Sequence, residues 1–277
     1  MIILLIVSAP ALAGSAAPAA PFNDLRARLS ADGFTPDHLD RVYTNPEVTF
    51  DTRSVTLFFM HSESRLNYDQ FTDKRNIRRA RAYMQQHAAL LDQAEKRFGT
   101  DKEIITAIIL VETKLGTYLG KSFVLNTLST LAALEDPALR QFIWSQIPQD
   151  RRISQDKFEK RAQQKSQWAY KELKALLTYT QKEGLDAPSI RGSYAGAMGI
   201  SQFMPTNALT LAKDGNQDGR VDLFDHADAI MSVANYLKHH GWHQGIEAQK
   251  AYKVILRYNY SKYYANTILK IAEILKS

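Results

Sequence analysis

The chain has 277 residues, 45% of them hydrophobic and 23% charged, with a mean hydropathy of -0.32. That is enough for one large domain or two modest ones around ample core, and it excludes a largely disordered chain. The net charge of +6 favours an anionic polymer such as cell wall, nucleic acid or lipid headgroups, although so mild an excess decides little. There is no cysteine, which excludes a disulfide framework and a thiol-linked lipid anchor.

Residues 1–21 read as an export leader, with an apolar run over residues 2–7 and a small-residue cleavage site, Ala11-Leu12-Ala13, before Gly14. The apolar run is too short to span a bilayer, and no Lys or Arg precedes it, a departure from the usual leader pattern. The expectation is an exported bacterial envelope protein, soluble in the periplasm, with no integral membrane segment in its mature form. Residues 22–98 form an N-terminal helical region. Leu25, Leu29 and Leu39 mark a first helical segment over residues 22–40, and Asn45-Pro46 marks a turn. Residues 54–59 are apolar and fit either a strand or a buried turn. Residues 73–98 read as one long amphipathic helix with Ile77, Tyr83, Leu90, Leu91 and Ala94 inward. Its basic cluster between Lys74 and Arg81 reads as a solvated face rather than a ligand site.

Residues 99–277 form the second region. Thr100 and Glu103 have capping-box spacing, and Ile104, Ile108, Val111 and Leu115 make an apolar stripe that Ile105, Ile109 and Leu110 widen. Glu112 lies on the line of Ile105, Ile108 and Ile109, so its carboxyl faces an apolar wall. Burial disfavours an ionised carboxylate and keeps a proton available, as a general acid requires. A buried Glu satisfied by an Arg or a backbone amide is the structural alternative. Gly116 and Gly120 then end the helix. Residues 121–134 read as a second helix with Leu125, Leu128, Leu131 and Leu134 in register, and Pro137 opens a third segment. Residues 148–165 are polar, with the look of an insertion (about 146–166) or a mobile loop. A further helix follows to Glu183, ended by Gly184 and Pro188.

The segment from Arg191 to Pro205 has three glycines and two alanines among Tyr194, Met198, Phe203 and Met204, together with Gln202 and Ser193. Small residues beside aromatics, an amide and a hydroxyl suit the floor of a sugar cleft; a tight helix crossing is the alternative. A phosphate loop is excluded because no Gly-Lys-Ser/Thr follows. Asp214-Gly-Asn216-Gln-Asp218-Gly219-Arg220 then has the spacing of an EF-hand calcium loop, with oxygen donors at the first, third and fifth positions and a carbonyl at the seventh. Either Asp225 or Asp228 closes it. One such loop reads as a structural staple rather than a sensor. A helix over residues 227–240 carries Ile230, Val233, Ala234 and Leu237 inward and puts Tyr236 at their edge. His239, His240 and His243 fit a helix C-terminus better than a metal site. Tyr258, Tyr260, Tyr263 and Tyr264 fall within seven residues, suited to stacking on sugars as well as to packing in a core.

In this order the motifs resemble the lytic murein transglycosylases of the MltB type. The matching pieces are Val111-Glu112-Thr113 with Gly116 and Gly120, the segment from Ser193 to Pro205, the calcium-type loop, Ser232-Val-Ala-Asn-Tyr236 with Gly241-Trp242, and Arg257-Tyr258-Asn259 with Ser261 and Tyr264. The resemblance runs from about Tyr68 to the C-terminus. It departs at the polar stretch and at Ile200-Ser201. It implies a mainly α, lysozyme-like transglycosylase core with an additional N-terminal helical part and an EF-hand-like loop. It also implies cleavage of peptidoglycan between N-acetylmuramic acid and N-acetylglucosamine without water, leaving 1,6-anhydromuramic ends. By match, Glu112 is the acid and then the base, while Ser193, Met198, Gln202, Phe203, Tyr236, Tyr258, Asn259 and Tyr264 hold the sugars. Asp214, Asn216, Asp218, the Arg220 carbonyl and Asp228 are the implied ligands of a structural Ca²⁺. Peptidoglycan strands are the expected partner, with no nucleic acid, no organic cofactor and a monomeric chain.

Ordinary glycosidases need two carboxylates, yet near these motifs only Glu112 is not already claimed by the metal loop, unless folding brings Glu172 or Asp186 across. A hydrolytic muramidase with such a second acid and a non-catalytic, calcium-stapled wall-binding protein are the competing readings.

Overall fold

The computed structural model describes residues 20–61 and 67–277. The leader expected over residues 1–21 lies, up to residue 19, outside the described residues. The described chain is mainly helical. In order its α-helices are α1 (Asn23–Ala31), α2 (Pro36–Tyr43), α3 (Thr52–Met60), α4 (Lys74–Gln86), α5 (Ala88–Phe98) and α6 (Lys102–Thr113). They continue as α7 (Val124–Ala133), α8 (Pro137–Gln146), α9 (Gln155–Glu183), α10 (Pro205–Leu211), α11 (His226–His239), α12 (Ala248–Tyr258) and α13 (Lys262–Lys276). No helix among the described residues is long and apolar enough to cross a membrane.

The described residues pack as two compact units, one from 20–61 with 120–197 and the other from 67–119 with 198–277. The sequence division at residue 98 therefore falls inside the second of these, between α5 and α6. In the first unit α7 packs most extensively on α9. Every residue of α7 is buried, so the helix is a spine with no solvated face. Two-residue strands, β1 (Ser122–Phe123) and β2 (Arg191–Gly192), pair antiparallel beside it, with Ser122 opposite Gly192 and Phe123 opposite Arg191. There Gly120, at φ +107°, passes so close to Gly192 that a Cβ would stand 1.9 Å from the Gly192 carbonyl oxygen. Only a glycine fits that approach.

Several local expectations change, and the segment expected over 22–40 is two helices, α1 and α2, parted by a turn at Gly33. Residues 54–59 are neither strand nor turn but most of α3: the Asp51 carboxylate accepts the Ser54 N–H at 2.9 Å and starts the helix, and Val55, Phe58 and Phe59 then share a buried face. Most of the polar stretch 148–165 is the start of α9, one continuous helix of 29 residues. Phe158, Ala162, Ser166, Ala169, Leu173 and Leu176 are buried along it, so its polar residues are the solvated face of an amphipathic helix. The helix expected over 73–98 is broken at His87 into α4 and α5. The His87 ring packs against Tyr83 and stacks on His226 at 4.8 Å.

In the second unit α6 packs most extensively on α13, and α5 on α11. The Thr100–Glu103 capping box does not form. Asp101 is the N-cap without a side-chain cap bond, and the Thr100 hydroxyl donates instead to the Ala234 carbonyl at 3.1 Å. The hydroxyl is thereby satisfied by a tertiary partner on α11 instead of serving as a local cap. From Ile104 through Thr113 every residue of α6 is buried. The helix stops abruptly, with Lys114, Leu115 and Gly116 at φ 52°, 64° and 79°, all left-handed. The Lys114 and Leu115 N–H groups turn back to the carbonyls of Leu110 and Ile109, which closes the helix end.

Candidate active site

Glu112 sits in the last turn of α6, 1% exposed. The Tyr264 hydroxyl donates to its Oε1 at 2.7 Å. Tyr264 stands in the first turn of α13, where the Ser261 hydroxyl caps the helix by accepting the Tyr264 N–H. Burial, and then the Glu112 carboxylate beside them, push the Tyr264 and Tyr258 phenols well above the ordinary tyrosine range. Both therefore keep their protons, and the Tyr264 proton is committed to the carboxylate.

The glycine-rich segment folds back on itself next to α6. Met198 and Phe203 form an antiparallel bridge, with N–H···O distances of 2.9 and 3.0 Å, around a turn in which Gln202 has φ 49°. The Gln202 amide nitrogen donates to the carbonyls of Gly199 at 2.8 Å and Leu119 at 3.3 Å, while its oxygen is buried without a partner. Thr113, next to Glu112, donates its hydroxyl to the Ile200 carbonyl at 3.0 Å and so ties this turn to α6. Tyr258 donates to the Ser201 carbonyl at 2.6 Å, and Tyr236 to the Arg257 carbonyl at 2.7 Å. The Phe203, Tyr236 and Tyr258 rings meet at centroid distances of 4.8 to 6.0 Å, and Tyr258 lies parallel to Tyr264 at 6.4 Å. The Asn259 side-chain nitrogen and the Ser201 hydroxyl are also buried and unpartnered. Polar atoms left bare in a close-packed interior are costly unless something else meets them.

Glu112, Tyr264, Tyr258, Tyr236, Phe203, Met198, Gln202 and Asn259 thus belong to one unit, and most are linked by contacts. Ser193 belongs to the other unit, where its hydroxyl accepts the N–H groups of Ala195 and Ala197 and closes their turn. Thr113 is part of the motif around Glu112, but sequence gives it no role of its own. Its signal was available: a hydroxyl in the last turn of an otherwise apolar helix, beside the one buried acid.

In the loop after α10, Asp214 accepts from the N–H groups of Gln217 and Gly219, Asn216 from Asp218, and Asp218 from Arg220. Asp228 accepts from Gly215 at 2.7 Å and Asp222 at 2.6 Å, one bond to each oxygen. Burial pushes the Asp228 carboxyl above the usual range, opposed by these amides. Asp225 instead caps α11 by accepting the Ala227 and Asp228 N–H groups. A separate half-buried group, Glu95, Asp101 and Glu103, is partly engaged already: Asp101 accepts from Trp242 and pairs with Lys276.

The site is thus a buried acid presented by one helix and held by a phenol from another, beside a glycine-rich turn. Residues 18–250 match the family model described as the transglycosylase SLT domain, and the chain belongs to that family. Membrane-bound lytic murein transglycosylase B of Escherichia coli (strain K12) is 34% identical over 176 residues, 64% of this chain. The match takes in 41% of that longer relative. Among solved structures, the soluble lytic transglycosylase SltB1 from Pseudomonas aeruginosa is similar at 25% identity and a TM-score of 0.74, over 91% of this chain and 97% of that one. SltB3 from the same organism, in complex with NAG-anhNAM-pentapeptide, shares the fold at 22% identity and a TM-score of 0.73, over 92% and 78%. So does the Escherichia coli lytic transglycosylase Slt35 in complex with calcium, at 22% identity and a TM-score of 0.62, over 91% and 86%.

Proposed function

We propose that the chain is a lytic transglycosylase that cuts the β-1,4 bond between N-acetylmuramic acid and N-acetylglucosamine in peptidoglycan. Glu112, protonated, gives its proton to the glycosidic oxygen as the bond from the muramyl C1 breaks. The muramyl C6 hydroxyl then bonds to C1 and returns its proton to Glu112, so no water enters and a 1,6-anhydro end results. Met198, Gln202, Phe203, Tyr236, Tyr258 and Asn259, all of the unit that carries Glu112, line the place for the sugars. The bare Gln202 oxygen and Asn259 nitrogen suit an N-acetyl group, which has one donor and one acceptor.

The observation that carries this reading is the buried carboxyl of Glu112 held by the Tyr264 hydroxyl. Among the described residues of its unit, Glu112 shares burial only with Asp228, both of whose oxygens are taken by loop amides. A cleavage in which one group gives and retakes one proton needs no second carboxylate. The test is mass spectrometry of products from purified peptidoglycan. Muropeptides one water lighter than hydrolytic products are expected; ordinary reducing ends would mean a hydrolase, and binding without products would mean a wall-binding protein. An exported, periplasmic setting fits that substrate.

Tyr264→Phe should leave the fold intact, since the hydroxyl is all that is lost. Hydrogen bonds to charged groups contribute about 1.5–3 kcal/mol, so turnover should fall roughly 10- to 100-fold with little change in KM.

The loop at 214–228 suits a hard cation because its donors are all oxygens. Asp214, Asn216, Asp218, the Arg220 carbonyl and Asp228 would hold a structural Ca²⁺, because the Asp228 carboxylate faces the loop amides whereas Asp225 faces the α11 N-terminus. Added Ca²⁺ should raise the melting temperature by several degrees, from about 2.7 kcal/mol at a hundredfold excess over Kd. Asp228→Asn should remove most of that rise. A melting temperature indifferent to Ca²⁺ would rule the staple out.

A further inference from the structure

The described residues leave three large apolar side chains exposed, and two of them, Tyr260 and Tyr263, lie within four residues of Tyr264. Tyr260 is 92% exposed, and its ring adds nothing to the core. It is nonetheless held firmly. Its neighbours Asn259 and Ser261 are 3% and 6% exposed, the Ser261 N–H donates to the Asn259 carbonyl at 2.8 Å, and Ser261 caps α13. A backbone anchored on both sides directs the side chain outward. Tyr263 is 59% exposed and lies nearly parallel to Tyr68, at 14° and 6.4 Å between centroids. Tyr68 is buried and its hydroxyl is near enough to Tyr264 to bear on that phenol's charge. Tyr263 therefore lies beside a ring that reaches toward the Glu112 pair, while most of its own surface is open to solvent.

We propose that Tyr260 and Tyr263 form an outer sugar-stacking site that holds a β-1,4-linked N-acetylhexosamine strand beyond the sugars flanking the cleaved bond. The inference rests on the glycan reading of the site. Pyranose rings lay their C–H faces on aromatic rings and keep their hydroxyls hydrated, which suits phenols standing in water. An apolar protein partner or a lipid surface fits less well. The two rings are separated by Ser261 and the exposed Lys262, too interrupted for a continuous apolar patch.

The test uses the full chain carrying Glu112→Gln, so that binding is read without cleavage, and calorimetric titration with N-acetylglucosamine tetramer and octamer. The parent should bind the octamer more tightly. Tyr260→Ala with Tyr263→Ala should weaken octamer binding about tenfold and leave tetramer binding alone, and Phe at both positions should restore it. In the active chain the same pair should raise KM for long strands with kcat retained. Equal losses for both lengths, no loss at all, or no octamer preference in the parent would each overturn the outer site. A parent that binds neither oligomer would overturn the glycan reading itself, whereas absence of anhydro products with binding intact would overturn only the reaction.

Discussion

Glu112→Gln is expected to abolish release of anhydro-muropeptides, by at least about 10³-fold, while the protein folds as before. The amide has the shape of the carboxyl and can still accept the Tyr264 hydroxyl, so the helix pair α6–α13 keeps its contact. It cannot give up a proton at the acidity the leaving oxygen needs, nor take one from the C6 hydroxyl. Both transfers run through the same carboxyl, so one substitution removes both. A neutral amide is no costlier to bury there than the protonated carboxyl it replaces, so the melting temperature should hold. Product release followed over time, beside a thermal melt, gives both readings. Residual activity above about 1% with unchanged products would place the acid elsewhere.

Gly199→Ala should cause the largest loss of stability expected within the site. Its Cβ would stand 2.5 Å from the Leu223 Cβ and 2.6 Å from the Leu223 carbonyl oxygen, on a backbone at φ 74°. Overpacking and the left-handed conformation together cost about 2–5 kcal/mol, a large share of the roughly 5–15 kcal/mol that holds a domain. The displaced atoms matter to the chemistry. Ile200 donates to that same Leu223 carbonyl at 2.8 Å, and the Gly199 carbonyl accepts both the backbone and side-chain N–H of Gln202. A melting temperature lower by roughly 5–15 °C is expected, with a loss of turnover beyond the fraction unfolded. Gly245→Ala is the control, with the same φ of 74° but no atom within 4 Å. It should cost only about 1–2 kcal/mol and leave activity intact. Similar effects at both positions would mean that backbone conformation, not the Leu223 contact, is what Gly199 supplies.

Much of the site was legible because burial and chemistry conflict there. A carboxyl on the apolar line of Ile105, Ile108 and Ile109 is visible in one dimension, and its burial follows from the same periodicity. The partner was not visible that way. Tyr264 lies 152 positions further on, and nothing in local spacing says which of four nearby phenols turns inward. Resemblance supplied that residue, and packing of α13 on α6 supplied its geometry. Local readings failed where tertiary contacts overrode local preference. Thr100 left its cap for a carbonyl on α11, and the 73–98 helix broke where His87 found Tyr83 and His226. The polar stretch that opens α9 hides its helix because its many solvated residues outweigh Phe158 and Ala162 in composition, although not in packing. For the calcium-type loop, sequence left Asp225 and Asp228 both open. The structure uses Asp225 as a helix cap and turns Asp228 into the loop.

The end of α6 carries a further consequence. Lys114 and Leu115 hold left-handed conformations that glycine adopts freely and other residues adopt at a cost of about 1–2 kcal/mol each. A lineage screened for thermal endurance alone would drift toward glycine at both positions. Their persistence as side-chain-bearing residues would then mean that endurance is not the only demand on this turn. It must also stay stiff two residues from the acid, where a looser backbone would let the proton donor wander.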